Sequence, residues 1–256
     1  MSNNKNIASA DDEGLLGQHL QMLQLPAFFE HYRTAAQTAA QHEWTYTRYL
    51  GQLAETELNL RNDRRTLRRI KHARFPVLKT LDDFDWNWPR KINRLHVQDL
   101  FRLAFVEQNA NIIFLGGVGL GKSHLSIALG YQACLKGYSV LFAPAIDIIN
   151  ALAAAQSAGR FKADLKKYLK PNILVIDELG YLPLDKKGAD LLFQVISKRY
   201  EKGSIILTTN KQFKKWPEMF NNDSTLTSAV LDRLLHHAET VLIDGKSYRM
   251  KDKIEE

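Results

Sequence analysis

The sequence predicts an α/β fold: a parallel five-stranded sheet between helical layers, preceded by a small all-helical N-terminal domain. Three observations carry this. After residue 111, short apolar runs alternate with helical stretches. Before residue 76 only helical periodicity is present. A glycine-rich turn separates the first apolar run from the helix that follows it, at the edge where such sheets bind ligands.

Residues 1–13 read as a disordered, polar tail. Leu16, Leu20, Leu23, Phe28, Tyr32 and Ala36 recur at helical steps, interrupted near Pro26. A longer helical pattern runs from Tyr46 to about Arg74 and stops at Pro76. Residues 14–76 are therefore expected to be a helical domain that binds DNA or a partner. Residues 77–110 form a linker and docking segment; Trp86 and Trp88 are packing anchors, and Val97–Phe105 is a short helix. The main domain spans 111–251, and 252–256 is a second tail. Its strands are expected at Ile112–Leu115, Ser139–Ala143, Ile173–Asp177, Ser204–Thr208 and Thr240–Ile243. Helices are expected at His124–Lys136, Ala145–Ala155, Phe161–Leu169, Gly188–Glu201 and Ser228–His236. Strands separated by helices imply a parallel sheet covered on both faces.

Composition excludes several classes. Of 256 residues 45% are apolar and 25% charged, which suits a folded globular chain. The longest apolar runs are too short to span a bilayer, so no membrane partner is expected. Met1–Glu13 lacks the basic-then-apolar pattern of a secretory signal, so a cytoplasmic location is expected. Cys134 is the single cysteine, which rules out an internal disulfide or a cysteine zinc cluster; its apolar setting reads as a buried thiol. The formal charge is +7. Most of it comes from Arg61–Arg74, where seven basic residues face one acid, Asp63.

Gly116-Gly117-Val118-Gly119-Leu120-Gly121-Lys122-Ser123 fits G-x-x-x-x-G-K-[ST] between a strand and a helix. Glycines let the backbone N–H groups reach phosphates, and the helix N-terminus adds partial positive charge. Lys122 supplies a cation to the terminal phosphates and Ser123 a hydroxyl for Mg²⁺. Ile173–Ile176 is an apolar strand ending in Asp177 and Glu178. Asp177 suits Mg²⁺, and Glu178 suits polarisation of an attacking water. The two acids can also serve as a cap for the next helix. Asn210, at the end of the fourth strand, can bond the attacking water or the γ-phosphate, or simply sit in a turn. Arg233 can reach the γ-phosphate bound by an adjacent subunit, or pair with Asp232. Arg249 can touch nucleotide from the C-terminal end, or belong to an exposed basic tail.

The order of phosphate loop, Asp177-Glu178, Asn210 and Arg233 resembles an AAA+ ATPase. Extra helical material between Ala145 and Leu169 resembles the initiator and helicase-loader clade. The stretches Ala54–Pro76, Phe84–Trp86, Ile176–Tyr181, Ser228–His237 and Gly245–Lys251 make most of residues 14–251 similar to the IstB-type helper ATPases of insertion sequences. The resemblance implies an AAA+ three-layer sandwich that binds ATP and Mg²⁺, assembles with itself on duplex DNA, bends the DNA and presents it to a transposase. It also implies working roles for Lys122, Ser123, Asp177, Glu178, Asn210 and Arg233, and a sensor role for Arg249.

Arg61, Arg64, Arg65 and Arg68 follow i, i+3, i+4, i+7 spacing, and Arg69 widens that helix face. Such a row is relieved by a polyanion, or by pairing with Glu55 and Glu57. Arg160, Lys162, Lys166 and Lys167 form a second basic cluster, suited to a DNA path or to plain solvated surface. Competing readings are a replicative helicase loader of the DnaC type, a P-loop kinase of a small metabolite, and a DNA-packaging module whose nucleotide site is regulatory.

Overall fold

The structure is a computed structural model and describes residues 10–248. It divides into two compact units, one ending at Leu67 and one beginning at Arg68. Arg249 lies outside the described residues.

The first unit is helical. It contains α1 (Ala10–Met22), α2 (Pro26–Gln41) and most of α3 (Tyr46–Ala73). The first helix begins at Ala10, inside the stretch expected as a tail. Pro26 opens α2, where its fixed φ suits the first turn and its missing N–H costs nothing. Leu20, Tyr32 and Leu53 form a small core. Beside it, Glu57 is buried and accepts the Ala27 N–H at 2.8 Å and the Arg61 Nε at 2.7 Å. Arg61 also donates to the Gln24 carbonyl at 2.7 Å.

The second unit holds α4 (Arg94–Leu100), α5 (Ala104–Glu107), β1 (Asn111–Gly116), α6 (Lys122–Leu135), β2 (Val140–Pro144), α7 (Ala145–Ser157), α8 (Phe161–Leu169), β3 (Ile173–Leu179), α9 (Lys186–Arg199), β4 (Ser204–Thr209), α10 (Trp216–Met219), α11 (Ser224–Leu235) and β5 (Ala238–Ile243). All five strands are parallel, in the order β2-β3-β4-β1-β5. Alternation along each strand builds two cores. Ile112, Phe114, Ile173, Val175 and Ile206 face Leu125, Leu129 and Cys134 of α6. Ile113, Leu174, Ile176, Ile205 and Leu207 face α7, α9 and α11 through Ile148, Leu152, Leu192, Ile196, Val230 and Leu234. Each buried aliphatic contributes roughly 1.5–3 kcal/mol, and with both faces covered the strands read as continuous apolar runs.

Several expectations shift. The last turn of α3 belongs to the second unit, because Ile70, Ala73 and Phe75 join its core. The boundary therefore falls near Leu67, not at 76. The helix expected over Val97–Phe105 is two helices, separated by Leu103 at φ 65°. α10 fills a gap with the fully buried Trp216. Cys134 is buried, and burial pushes its thiol up to about 11. Among the described residues no helix is long and apolar enough to cross a membrane.

Arg199, 2% exposed, closes the bottom of the sheet. It donates to the carbonyls of Tyr168 at 2.9 Å, Pro171 at 3.0 Å, Asn172 at 2.9 Å and Ser204 at 2.8 Å. It thereby ties the end of α8 to the starts of β3 and β4. Burial lowers its guanidinium to about 10.

Arg199→Met should lower unfolding stability by about 3 kcal/mol, because it orphans several buried acceptors; the urea midpoint of the full chain reads this. Burial pushes the Glu57 carboxyl up, but the Arg61 hydrogen bond and the Ala27 N–H outweigh it and hold the group below the usual carboxylate range. A lowered folded value means stability present above the unfolded value and lost as pH falls through the folded one. Glu57→Gln should therefore flatten the acid dependence of helix loss in the first unit, followed by circular dichroism between neutral and acid pH.

Candidate nucleotide-hydrolysing site

The site stands at the carboxyl ends of β1, β4 and β3, which lie side by side in that order. β1 runs into the loop Gly117–Gly121, and α6 follows. α6 starts on Gly121 at φ 83°, and no side chain caps it. Its first N–H groups therefore remain for an anion. Two glycines are required by close neighbours. A Cβ on Gly121 would fall 2.6 Å from the Phe84 ring, and one on Gly119 (φ 73°) would fall 2.1 Å from Ser247 Oγ.

Lys122, Ser123, Asp177 and Glu178 line one cavity of about 530 Å³ with Gly119, Leu120 and Gly121. The Lys122 ammonium donates to the Gly117 carbonyl at 2.6 Å, turned onto the loop it serves. Ser123 Oγ donates to Asp177 Oδ1 at 2.9 Å. Asp177 is 6% exposed. A hydroxyl beside a carboxylate is a hard-oxygen pair that suits Mg²⁺. Glu178 is exposed and sits at φ 60° in a register shift between Ile176 and Leu179. In a regular strand, neighbours 177 and 178 would point to opposite faces. The bulge brings both to the cavity. The left-handed backbone costs about 1 kcal/mol and persists only because the surroundings hold it.

Thr208, which sequence reasoning did not single out, does much of that holding. It is fully buried on β4. Its hydroxyl donates to Asp177 Oδ1 at 2.5 Å and accepts the Glu178 N–H at 2.9 Å. Asn210 lies one residue past the pairing of Thr209 with Leu115. Its Oδ1 is buried with no hydrogen-bond partner among the described residues, an acceptor that a water molecule would satisfy.

The expected docking segment forms a wall of the cavity. Pro76, Val77, Phe84, Trp88 and Pro89 line it. Phe84 meets His124 edge-on, with ring centroids 5.4 Å apart. The His124 Nε2 donates to the Thr80 carbonyl at 2.8 Å, which fixes that nitrogen as the protonated one. Burial lowers the His124 pKa, favouring the neutral ring. Lys91 and Asp244 exchange backbone hydrogen bonds, and the Trp88 indole donates to the Lys246 carbonyl at 2.9 Å. The Tyr248 N–H donates to the Gly119 carbonyl at 2.9 Å. Trp88 and Tyr248 meet edge-on at 5.5 Å, and both line the cavity. Trp86 packs against the core as an anchor, whereas Trp88 lines the cavity. The aromatic run Phe84–Trp88 was the only sequence signal for this wall.

Arg233 stands elsewhere. It lies on α11, donates to the Ala229 carbonyl at 2.9 Å and stacks over Phe193 at 5.1 Å. It is not among the residues lining the cavity.

The basic row divides. Arg64, Arg65 and Arg68 are exposed on α3. Arg61 instead serves the buried Glu57, and Arg69 Nε donates to the Cys134 carbonyl at 3.0 Å, near the end of α6. The Arg61–Glu57 pair is the i, i+4 alternative that the sequence offers, whereas the spacing does not reveal the Cys134 carbonyl that takes Arg69. Arg160, Lys162, Lys166 and Lys167 are exposed at α8, and Lys167 pairs with Asp164.

Comparison with known proteins agrees with this geometry. Residues 18–256 match the family described as IstB-like ATP binding protein. The chain is 39% identical over 236 residues to the ATP-binding protein of insertion sequence IS5376 of Geobacillus stearothermophilus, covering 92% of this chain and 94% of that one. It is 42% identical over 234 residues to the corresponding protein of insertion sequence IS21 of Pseudomonas aeruginosa, covering 91% and 88%. Among solved structures, a DnaC helicase loader superposes with a TM-score of 0.53 at 24% identity, over 64% of this chain and 96% of that one; this likeness shows the fold. With its phosphate loop, acidic strand end and sheet order, the chain has the AAA+ P-loop fold, belongs to the IstB-like ATP binding protein family and is an ATPase.

Proposed function

We propose that the chain is the ATP-driven DNA-binding helper of an insertion sequence, acting in the cytoplasm. It assembles with itself on duplex target DNA, remodels the DNA and delivers it to a transposase. The observation that carries this reading is the pairing of a cavity lined by Lys122, Ser123, Asp177 and Glu178 with an exposed arginine row, Arg64, Arg65 and Arg68. The relatives named for insertion sequences support the setting.

In the mechanism, Gly116–Gly121 and the first turn of α6 cradle the phosphates of ATP, and Lys122 leaves the Gly117 carbonyl for the terminal phosphates. Ser123 and Asp177 would hold Mg²⁺, which supplies charge neutralisation when bound. Glu178 polarises the attacking water, and Asn210 orients it through its unpartnered Oδ1. Arg233 lies away from its own cavity and serves a neighbouring copy's γ-phosphate. Arg64, Arg65 and Arg68 contact backbone phosphates, with Arg160, Lys162, Lys166 and Lys167 as a second strip. The inward Arg61 and Arg69 are structural in this reading.

Fluorescence anisotropy of labelled DNA of about 50 nucleotides, duplex and single-stranded in parallel with ATP or ADP, tests the proposal. ATP-dependent duplex binding is expected, and Lys122→Ala should abolish it. Preference for single strands would favour a helicase loader, and binding to neither would sink both. Replacing Arg64, Arg65 and Arg68 by Ala should weaken duplex binding and reduce the slope of log K against log salt by about 3. An unchanged slope would remove that row from the interface.

A further inference from the structure

We propose that Thr208 is a positioning residue for ATP hydrolysis, a single buried hydroxyl that sets both acids of β3 at once. The proposal rests on the reading of Asp177 and Glu178 given above.

The argument starts from the ladder. β3 pairs regularly with β4 up to Ile176 and Leu207, and resumes at Leu179 and Thr209. Two residues of β3, Asp177 and Glu178, therefore stand opposite one residue of β4, Thr208. A bulge of this kind leaves a backbone group without its ladder partner. Here the Glu178 N–H finds the Thr208 side chain in its place, at 2.9 Å. A hydroxyl has one proton to give and lone pairs to accept with. Having accepted from Glu178, Thr208 spends its proton on Asp177 Oδ1. The same oxygen accepts from Ser123 of the phosphate loop. One oxygen on the central strand of β3-β4-β1 thus links the water-polarising residue, the metal-suited carboxylate and, through that carboxylate, the nucleotide loop.

Shape and chemistry separate cleanly at this position. Valine reproduces the branched side chain and suits a strand, but it can neither accept nor donate. Serine keeps the hydroxyl. If Thr208 is only a core residue, valine is the milder change. If its hydroxyl aims the two acids, serine is.

The test uses the full chain as Thr208→Val, Thr208→Ser and Thr208→Ala, beside Glu178→Gln. The readouts are kcat and KM for ATP, Mg²⁺ dependence, binding of a fluorescent non-hydrolysable ATP analogue, and thermal unfolding. Thr208→Val and Thr208→Ala should lower kcat by about 10- to 100-fold, with KM and analogue affinity within about threefold of the unaltered chain. Both should raise the Mg²⁺ needed for half-maximal rate, and Thr208→Ser should restore most of the rate. If Thr208→Val or Thr208→Ala hydrolyses ATP as fast as Thr208→Ser while Glu178→Gln is inactive, the proposal is overturned and the role of Glu178 stands. If Glu178→Gln keeps its activity, the underlying reading fails first. Should Thr208→Val not fold, the comparison of Thr208→Ala with Thr208→Ser decides.

Discussion

A nearly buried carboxylate must be met by donors, and Asp177 is met by two hydroxyls on one oxygen. Ser123 reaches it from the first turn of α6 and Thr208 from β4. Both are in range only because the sheet places β4 between β3 and β1. The parallel arrangement brings the carboxyl ends of these strands to one edge. The helices that cover both faces keep that edge dry underneath, down to the Arg199 carbonyl clamp at the opposite end. The site is therefore a consequence of strand order before it is a consequence of any loop.

On that edge, rigidity and adaptability are divided. The acidic end of β3 is held from below by the Thr208 hydroxyl. The phosphate loop is held from the side by chain ends far apart in sequence: Phe84 against Gly121, and the Asp244–Tyr248 strap against Gly119. Both contacts require the glycines that the phosphate loop already requires for its backbone N–H groups. His124 faces Phe84 in the same wall, and burial favours its neutral form. Lys122, by contrast, rests on a carbonyl that it can leave.

Much of this was legible in the sequence. The strands announced themselves as apolar runs because they are buried on both faces. The nucleotide loop and the acid pair did so through fixed spacing. What stayed hidden depends on groups brought together from afar. Glu178 N–H meets Thr208 across thirty residues, and nothing in a Thr-Thr-Asn string marks the first threonine as a ligand of the bulge. Arg69 stands in the same helical row as Arg64, Arg65 and Arg68, yet the Cys134 carbonyl, far along the chain, takes its Nε. The run Phe84–Trp88 has no period because its order comes from the cavity it walls. The helix stop at Pro76 marks the end of α3, whereas the packing of Ile70 and Ala73 puts the edge of the second unit earlier.

The remaining feature is an arginine outside the lining of its own chain's cavity. Arg233 is steadied by Phe193 and the Ala229 carbonyl, and in the proposed function it completes the site of a second copy. The most direct measurement mixes two variants, Glu178→Gln, with an intact finger, and Arg233→Ala, with an intact cavity, and follows ATP hydrolysis with duplex DNA present. Each variant alone should be nearly inactive, and the mixture should recover a substantial part of the wild-type rate. A mixture as inactive as its components, or an Arg233→Ala chain that hydrolyses ATP normally, would contradict this expectation.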